Sequence, residues 1–424
     1  MSADAAGQID QDMYSRPGIV DSDADLLAGI RVLEIGHFVA APFCSRLLAD
    51  LGADVIKIEP PIKGDPVRQW GAGKDGHSVW WSVHGRNKRC IGLNLKHPAA
   101  RQIVLDLVRE CDALVENFRP GHLARLGLDD ETLRSVRPDL VIAHISGYGQ
   151  DGPQRDRAAF GVIGEAVGGL RYLTNHPAGE TDQPPVRVGV SIGDSIAGLY
   201  AAFGVVSGLL KRAAAPRARP ASLDIALADS VFSMLEGALP EYGALGIVRQ
   251  PSGGRIPTAA PTNAYQAADG SWMIVAANSD ALFRKLCGVM GRRELPQDAR
   301  FADNPARVAH VVELDAIISA WTATLEASDL ETLLAAADIP ATRAYTIEDC
   351  ARDEQFLFRG MVRDIDDPLI GPVLHPGIVP RVMGREQAIR WAGPDVGHHT
   401  DEVLTELLGM APADIAQLRG EGAF

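Results

Sequence analysis

The most constraining stretch of this chain lies between residues 30 and 58. There IRVLEI, a short β-leaning apolar run, leads through GHFVAAP into FCSRLLADLGA, whose apolar positions recur at helical spacing, and then into DVIKI. Pro42 suits the first turn of that helix, where no N–H is needed, and Gly52 supplies its stop. A strand, a helix and a second strand in succession predict a parallel βαβ unit, because parallel neighbours need a crossover of this length. The chain therefore starts a parallel sheet covered by helices.

The alternation continues. Residues 90–95 (CIGLNL) read as a strand, His97–Glu110 as an amphipathic helix opening near Pro98, Ala113–Glu116 as a strand, Asp130–Val136 as a short helix and Leu140–Ile145 as another strand. The loop after the first strand is GHFVAAP rather than GxGxxG, which argues against a dinucleotide site of the usual kind and against a nucleotide-dependent dehydrogenase. Residues 147–220 are helix-rich with two Gly/Pro-dense loops. Within them Asp194–Leu210 is a helix whose glycines and alanines predict close packing. A Pro/Arg linker (212–221) precedes the strand SLDIAL. A hairpin over 264–277, turning at Asp269-Gly270, marks a second domain. The expected fold class is α/β, with a large Rossmann-like domain and a smaller α+β domain. The expected layout is an N-terminal extension (1–24), the large domain (25–227), the small domain (228–345) and a C-terminal return to the large domain (346–424), closing on the helix of TDEVLTELLG.

Charge and cysteine usage narrow the function. Acids outnumber Lys and Arg by 55 to 41, which argues against a phosphate-coating surface and hence against nucleic acid as a partner. Five cysteines without CxxC spacing fit neither a disulfide framework nor a zinc knuckle. No 18-residue apolar run predicts a membrane span, and the acidic start lacks the pattern of a signal peptide. A cytoplasmic protein with no metal is the expectation.

Four segments could carry chemistry. Asp194, in VRVGVSIGDSIAGL, sits where an apolar run meets a helix; a carboxylate there is ordinarily an N-cap, a role compatible with that of a nucleophile. In ENFRPGHLARLG (116–127), Asn117, Phe118, Arg119 and Arg125 can hold a nucleotide with phosphates, or form a solvated turn. Arg86, Lys88, Arg89 and Lys96 form a basic cluster, either an anion site or a salt-bridged surface. His37 follows the first strand, where a packed histidine is the ordinary reading. His398-His399 has the wrong spacing for a helical metal site.

In this order the segments resemble the family III CoA-transferases, the CaiB/BaiF family, which includes formyl-CoA transferase, carnitine CoA-transferase and α-methylacyl-CoA racemase. The matching runs are VLEIGHFVAAPFCSRLLADLGADVIKIEPP, GDPVR, RNKRCIGLNLKHPAAR, LVENFRPGHLARLG, ISGYGQDGP, VRVGVSIGDSIAGLYA, VGHHTDEVLTELLG and LGMAPADIAQLRGEG. They extend from about Leu27 to the C-terminus.

The resemblance implies a family III fold, an interlocked homodimer and reversible CoA transfer between a thioester and a free carboxylic acid. It makes Asp194 the catalytic nucleophile, passing through an aspartyl anhydride and an aspartyl-CoA thioester. No cofactor is permanently bound; the CoA thioester is the substrate. It assigns CoA binding to His37, Phe38, Val39, Ala40, Leu93, Lys96, Asn117, Phe118 and Arg125. Some members carry Gln at the position of Val39, which cannot supply that hydrogen bond. Where the family's racemases have a histidine and an acid, this chain has Phe160-Gly161, which disfavours the rival racemase reading. A CoA-binding protein without turnover is disfavoured by the presence of Asp194. Glu165 and Arg171 are candidates for the acyl pocket, and the glycine-rich lid is reduced to Ser252, Gly253 and Gly254. Arg171 or Arg187 could pair a second carboxylate, or equally a nearby acid such as Glu165. Because several family members use succinyl-CoA with dicarboxylic acceptors, the resemblance makes succinyl-CoA or a similar dicarboxylyl-CoA the expected donor and a small dicarboxylic acid the acceptor.

Overall fold

Strand β1 (Arg31–Ile35), helix α1 (Ala40–Asp50) and strand β2 (Asp54–Glu59) form the expected βαβ unit in the computed structural model, which describes residues 23–424. The two strands pair in parallel, from Arg31 opposite Asp54 to Glu34 opposite Lys57. The chain continues through β3 (Lys88–Gly92), α2 (Ala100–Arg109), β4 (Ala113–Glu116), α3 (Asp130–Val136) and β5 (Val141–Ser146). Then follow α4 (Gly161–Val167), α5 (Ile192–Ala214) and β6 (Ser222–Ala226). All six strands are parallel, in the order β3-β2-β1-β4-β5-β6. That is the doubly wound order, here without a glycine fingerprint.

Side chains alternate across the strands, so each face has its own core. Leu33 and Ile35 pack with Ile56, Ile91 and the Val104 and Leu107 side of α2. Val32 and Val55 pack on the other face with Cys44 and Leu48 of α1 and Ala197 and Ala201 of α5. Truncating a side chain such as Leu33 to alanine would cost roughly 2–5 kcal/mol. Small residues on α5 permit the close approach predicted for them: a Cβ on Gly198 would lie 2.7 Å from the Ala40 carbonyl oxygen. By length and composition α5 is the one helix among the described residues able to cross a bilayer. One side of it, with Ala197, Ala201 and Val205, packs on the sheet, and Leu199, Phe203 and Leu210 are exposed.

The described residues divide into two compact units. The first holds the parallel sheet, with the chain up to Leu170, Val188–Glu236 and Phe358–Phe424. The second comprises Arg171–Arg187 and Gly237–Leu357. Its antiparallel sheet has β7 (Thr262–Gln266), β8 (Trp272–Ala276) and β9 (Ala341–Arg343), with β8 in the centre. Phe283, Phe301, Leu314 and Leu330 fill its core.

Several boundaries differ from expectation. The second unit begins at Gly237 rather than 228, ends at Leu357 rather than 345, and takes in 171–187, which periodicity gave no reason to separate. Strand β3 begins at Lys88, two residues early, because Lys88 and Arg89 are buried in ion pairs and belong to the strand despite their charge. Helix α2 begins at Ala100, after a turn in which the His97 side chain accepts from the Ala99 N–H. A further helix, Pro412–Gly420, follows Thr400–Leu408. The expected extension, residues 1–24, lies outside the described residues except for its last two.

Candidate functional site

Strand order reverses between β1 and β4, so the loops leaving their carboxyl ends border the crevice where open α/β sheets bind ligands. Asn117, just after β4, ties these two loops together. Its Oδ1 accepts the His37 N–H at 2.8 Å, and its Nδ2 donates to the His37 carbonyl at 2.9 Å. Gly36 is required here, because a Cβ would lie 3.0 Å from Asn117 Oδ1 and collide with Ala41. Phe38 adopts a left-handed φ of 63°, uncommon for a residue with a side chain, and its N–H donates to Asp65 Oδ1 at 3.0 Å.

Beside this junction lies a cavity of about 370 Å³, lined by His37, Pro60, Leu93, Lys96, Phe118 and His122 among others. Phe118 is contacted edge-on by His37 at 5.2 Å and more nearly face-on by His122 at 4.6 Å between ring centroids. Burial, then the charge of Lys57, holds the His37 imidazole below its ordinary pKa. Burial and Arg125 do the same for His122. Both rings are therefore neutral near pH 7. Flat aromatic walls with Lys96 in the lining, beside a Glu59 already paired with Arg68, suit a heteroaromatic ring joined to an anion.

The predicted CoA residues are unevenly placed around this cavity. His37, Leu93, Lys96 and Phe118 line it. Asn117 fixes the loop, and exposed Arg125 lies beside it with Nη2 3.3 Å from His122 Nδ1. Val39 and Ala40 are buried at the start of α1, so their side chains pack inward. His122 and Pro60 were not expected, although His122 stands between Phe118 and Arg125 in ENFRPGHLARLG, where its aromatic ring was the available signal.

Asp194 lies in the first turn of α5. Its carboxylate sits against Gly161, the first residue of α4: a Cβ on the glycine would lie 2.6 Å from Asp194 Cγ and 3.1 Å from its backbone nitrogen. Glu165, one turn along α4, is buried, and its Cγ lies 3.4 Å from where a Gly193 Cβ would be. Phe160 is 65% exposed. Its ring meets Phe38 edge-on at 6.0 Å, and Phe38 packs against Trp70 at 4.9 Å. The first unit thus brings together the nucleophile candidate, an aromatic row and the junction beside the cavity. Arg171, Gly253 and Gly254 belong to the second unit, where the Gly253 N–H donates to the Asn175 carbonyl at 3.1 Å and Gly254 packs against Asn263.

The basic cluster is not a single anion site. Arg86 pairs with Asp50 at 2.7 Å, Lys88 with Glu34 at 2.8 Å and Arg89 with Asp54 at 2.6 Å, all buried. Only Lys96 reaches the cavity. The charges here join sheet and helices from within, so a salt-bridged surface was also the wrong picture for three of the four.

Residues 27–400 match the family model described as CoA-transferase family III. The chain is 42% identical to succinyl-CoA–D-citramalate CoA-transferase of Chloroflexus aurantiacus, over 93% of this chain and 97% of that one. It is 33% identical to succinate–glutarate CoA-transferase of Agrobacterium fabrum, over 90% and 95% respectively. A crystal structure of a CaiB/BaiF family protein from Brucella suis superposes with a TM-score of 0.79 at 32% identity, covering 89% of this chain and 98% of that one.

Proposed function

Because the chain belongs to CoA-transferase family III, we propose that it transfers CoA reversibly from succinyl-CoA to a small dicarboxylic acid, with Asp194 as the nucleophile. The observation that carries this reading is the Asp194 carboxylate in the first turn of α5, set against a residue without a side chain. A helix N-terminus favours negative charge, and a carboxylate is ionised at neutral pH without a metal. It attacks the thioester carbonyl, expelling CoA thiolate and leaving a mixed aspartyl–succinyl anhydride. The thiolate then attacks the aspartyl carbonyl, releasing succinate and forming an aspartyl-CoA thioester. The acceptor carboxylate attacks that carbonyl, giving a second anhydride and free thiolate. Attack of the thiolate on the acceptor's own carbonyl yields the new acyl-CoA and restores Asp194. Each step exchanges one acyl bond for another, which divides a difficult exchange into easier ones.

In this reading the adenine enters the cavity between His37, Phe118 and Leu93, with phosphates toward Lys96 and Arg125. The choice of succinyl-CoA is supported by relatives whose names specify transfer involving succinyl-CoA or succinate, paired with citramalate or glutarate. The protein is also taken to be a cytoplasmic, interlocked homodimer. Leu199, Phe203 and Leu210, exposed along α5, supply an apolar surface for a second copy, and light scattering should give twice the chain mass.

The test is incubation with succinyl-CoA and, separately, citramalate, malate and glutarate, with products read by mass spectrometry. Wild type should form a new acyl-CoA and succinate, Asp194→Ala should form neither, and hydroxylamine added during turnover should modify Asp194. More than a few per cent of wild-type rate in Asp194→Ala would overturn the nucleophile assignment.

A further inference from the structure

Below the loop after β1 lies a closed group of charges that the transfer chemistry does not use. Glu34 on β1, Lys57 on β2, Lys88 on β3 and Asp65 are all fully buried. Lys57 Nζ pairs with Glu34 Oε1 at 2.6 Å and Asp65 Oδ2 at 2.8 Å. Glu34 Oε2 accepts from Lys88 Nζ at 2.8 Å and from Ser45 Oγ at 2.5 Å. Two carboxylates and two ammonium groups balance, which is the condition for burying charge without a large penalty.

This group also holds backbone. Lys57 Nζ donates to the Gly36 carbonyl at 2.8 Å, and Asp65 Oδ1 accepts the Phe38 N–H. Asn117 holds both backbone groups of His37 between them. Four consecutive polar groups of one loop are thus pinned by side chains, through a residue whose left-handed φ would otherwise relax. The two braces serve different sides. Asn117 secures the residue that lines the cavity, whereas the Lys57–Asp65 pair secures Phe38, whose ring packs against Trp70 and Phe160.

We propose that Lys57 and Asp65 are positioning residues for CoA transfer: they hold Phe38 as a wall of the acyl side of the site, while Asn117 governs the nucleotide side. This rests on the CoA-transferase reading above. A pair kept for stability alone and a pair kept to place the loop respond differently to a charge-balanced replacement. Lys57→Met combined with Asp65→Leu leaves Glu34 with Lys88 and Ser45, and apolar replacement of a buried pair is often neutral for folding. It removes the anchors of Gly36 and Phe38 together.

The experiment compares the full-length double variant with wild type in three measurements: thermal melting, amide hydrogen exchange of residues 36–39, and kcat and KM for succinyl-CoA. The double variant should fold, exchange at 36–39 at least tenfold faster, lose at least tenfold in kcat and change KM by less than threefold. Asn117→Ala should show the opposite split, with KM rising more than kcat falls. A kcat within threefold of wild type, unchanged exchange, or failure of the double variant to fold would each overturn the proposal, the last by showing that the pair serves the fold. If wild type transfers no CoA, the functional reading falls, and the proposed role in transfer with it. Exchange still decides whether the pair braces the loop.

Discussion

Gly161 faces Asp194 so closely that its missing side chain is the space in which the carboxylate rests. Its φ lies outside the left-handed region, so alanine is tolerated by the backbone, and the atoms nearest its methyl group all belong to Asp194. The methyl carbon would sit 2.6 Å from Asp194 Cγ, and the backbone nitrogen at 3.1 Å leaves little room for it to yield. The carboxylate must therefore turn away.

Gly161→Ala should accordingly lower kcat at least tenfold with little change in melting temperature. A loss of that size corresponds to about 1.4 kcal/mol of transition-state stabilisation, within reach of a misplaced nucleophile. Steady-state kinetics beside a thermal melt checks it, and a rate within threefold of wild type would show that the placement of the carboxylate against Gly161 does not govern the rate.

Lys96→Ala and Arg125→Ala should act on binding. In the proposed CoA site each would remove a charge-assisted contact to phosphate worth roughly 1.5–3 kcal/mol, or about tenfold to a hundredfold in affinity. Lys96 lines the cavity, whereas Arg125 approaches it beside His122. Titration with a CoA thioester should show the weakening in both, steeper at low ionic strength because these charges are exposed. Unchanged affinity in both variants would place the phosphates elsewhere.

What the sequence disclosed followed its periodicity. The β1-α1-β2 unit was legible because its apolar residues alternate or recur at helical spacing, and Asp194 and Phe118 stood out through their motifs. The start of β3 was hidden because Lys88 and Arg89 find their partners, Glu34 and Asp54, on other strands. A reading that treats charge as surface must misplace such residues. The 171–187 excursion was hidden for a related reason: its partners lie in 237–357, far along the chain. Gly161 was visible as the loss of a racemase acid, but its contact with Asp194 joins two helix starts 33 residues apart and needed the fold.

The ion group around His144 was equally invisible and carries a pH prediction. His144 Nδ1 bonds Glu116 Oε1 at 2.6 Å and its Nε2 bonds Asp130 Oδ1 at 2.9 Å. Burial opposes the charge, but the bonds to Asp130 and Glu116 outweigh it and push the imidazole pKa up to about 9. A pKa raised on folding stabilises fully below the ordinary histidine value and progressively less as pH rises through about 9. His144→Gln should therefore lose about 2–3 kcal/mol at pH 6, less than for a fully enclosed pair, and much less at pH 10. Urea unfolding of both proteins at the two pH values measures the gap, and a gap that fails to narrow would mean that the imidazole is not held as a cation.

Transfer and racemisation on the same fold place different demands on acid/base groups. Inverting the α carbon of a 2-methylacyl-CoA takes a proton from one face and returns one to the other, so it needs two acid/base groups. The position that bears a histidine in the family's racemases is Phe160 here, an apolar ring that meets Phe38 edge-on, and the adjoining acid is replaced by Gly161. Glu165 is the next carboxylate along α4, but it is buried a turn away beneath Gly193 rather than beside Phe160. Asp194, the proposed nucleophile, would supply at most one of the two groups. A chiral 2-methylacyl-CoA incubated with the protein in deuterium oxide should gain no α-deuterium above an enzyme-free control, while CoA transfer to an added acid proceeds in the same solution. Rapid α-exchange would show that Glu165 or another base reaches the substrate, and would move the protein to the racemase branch of its family.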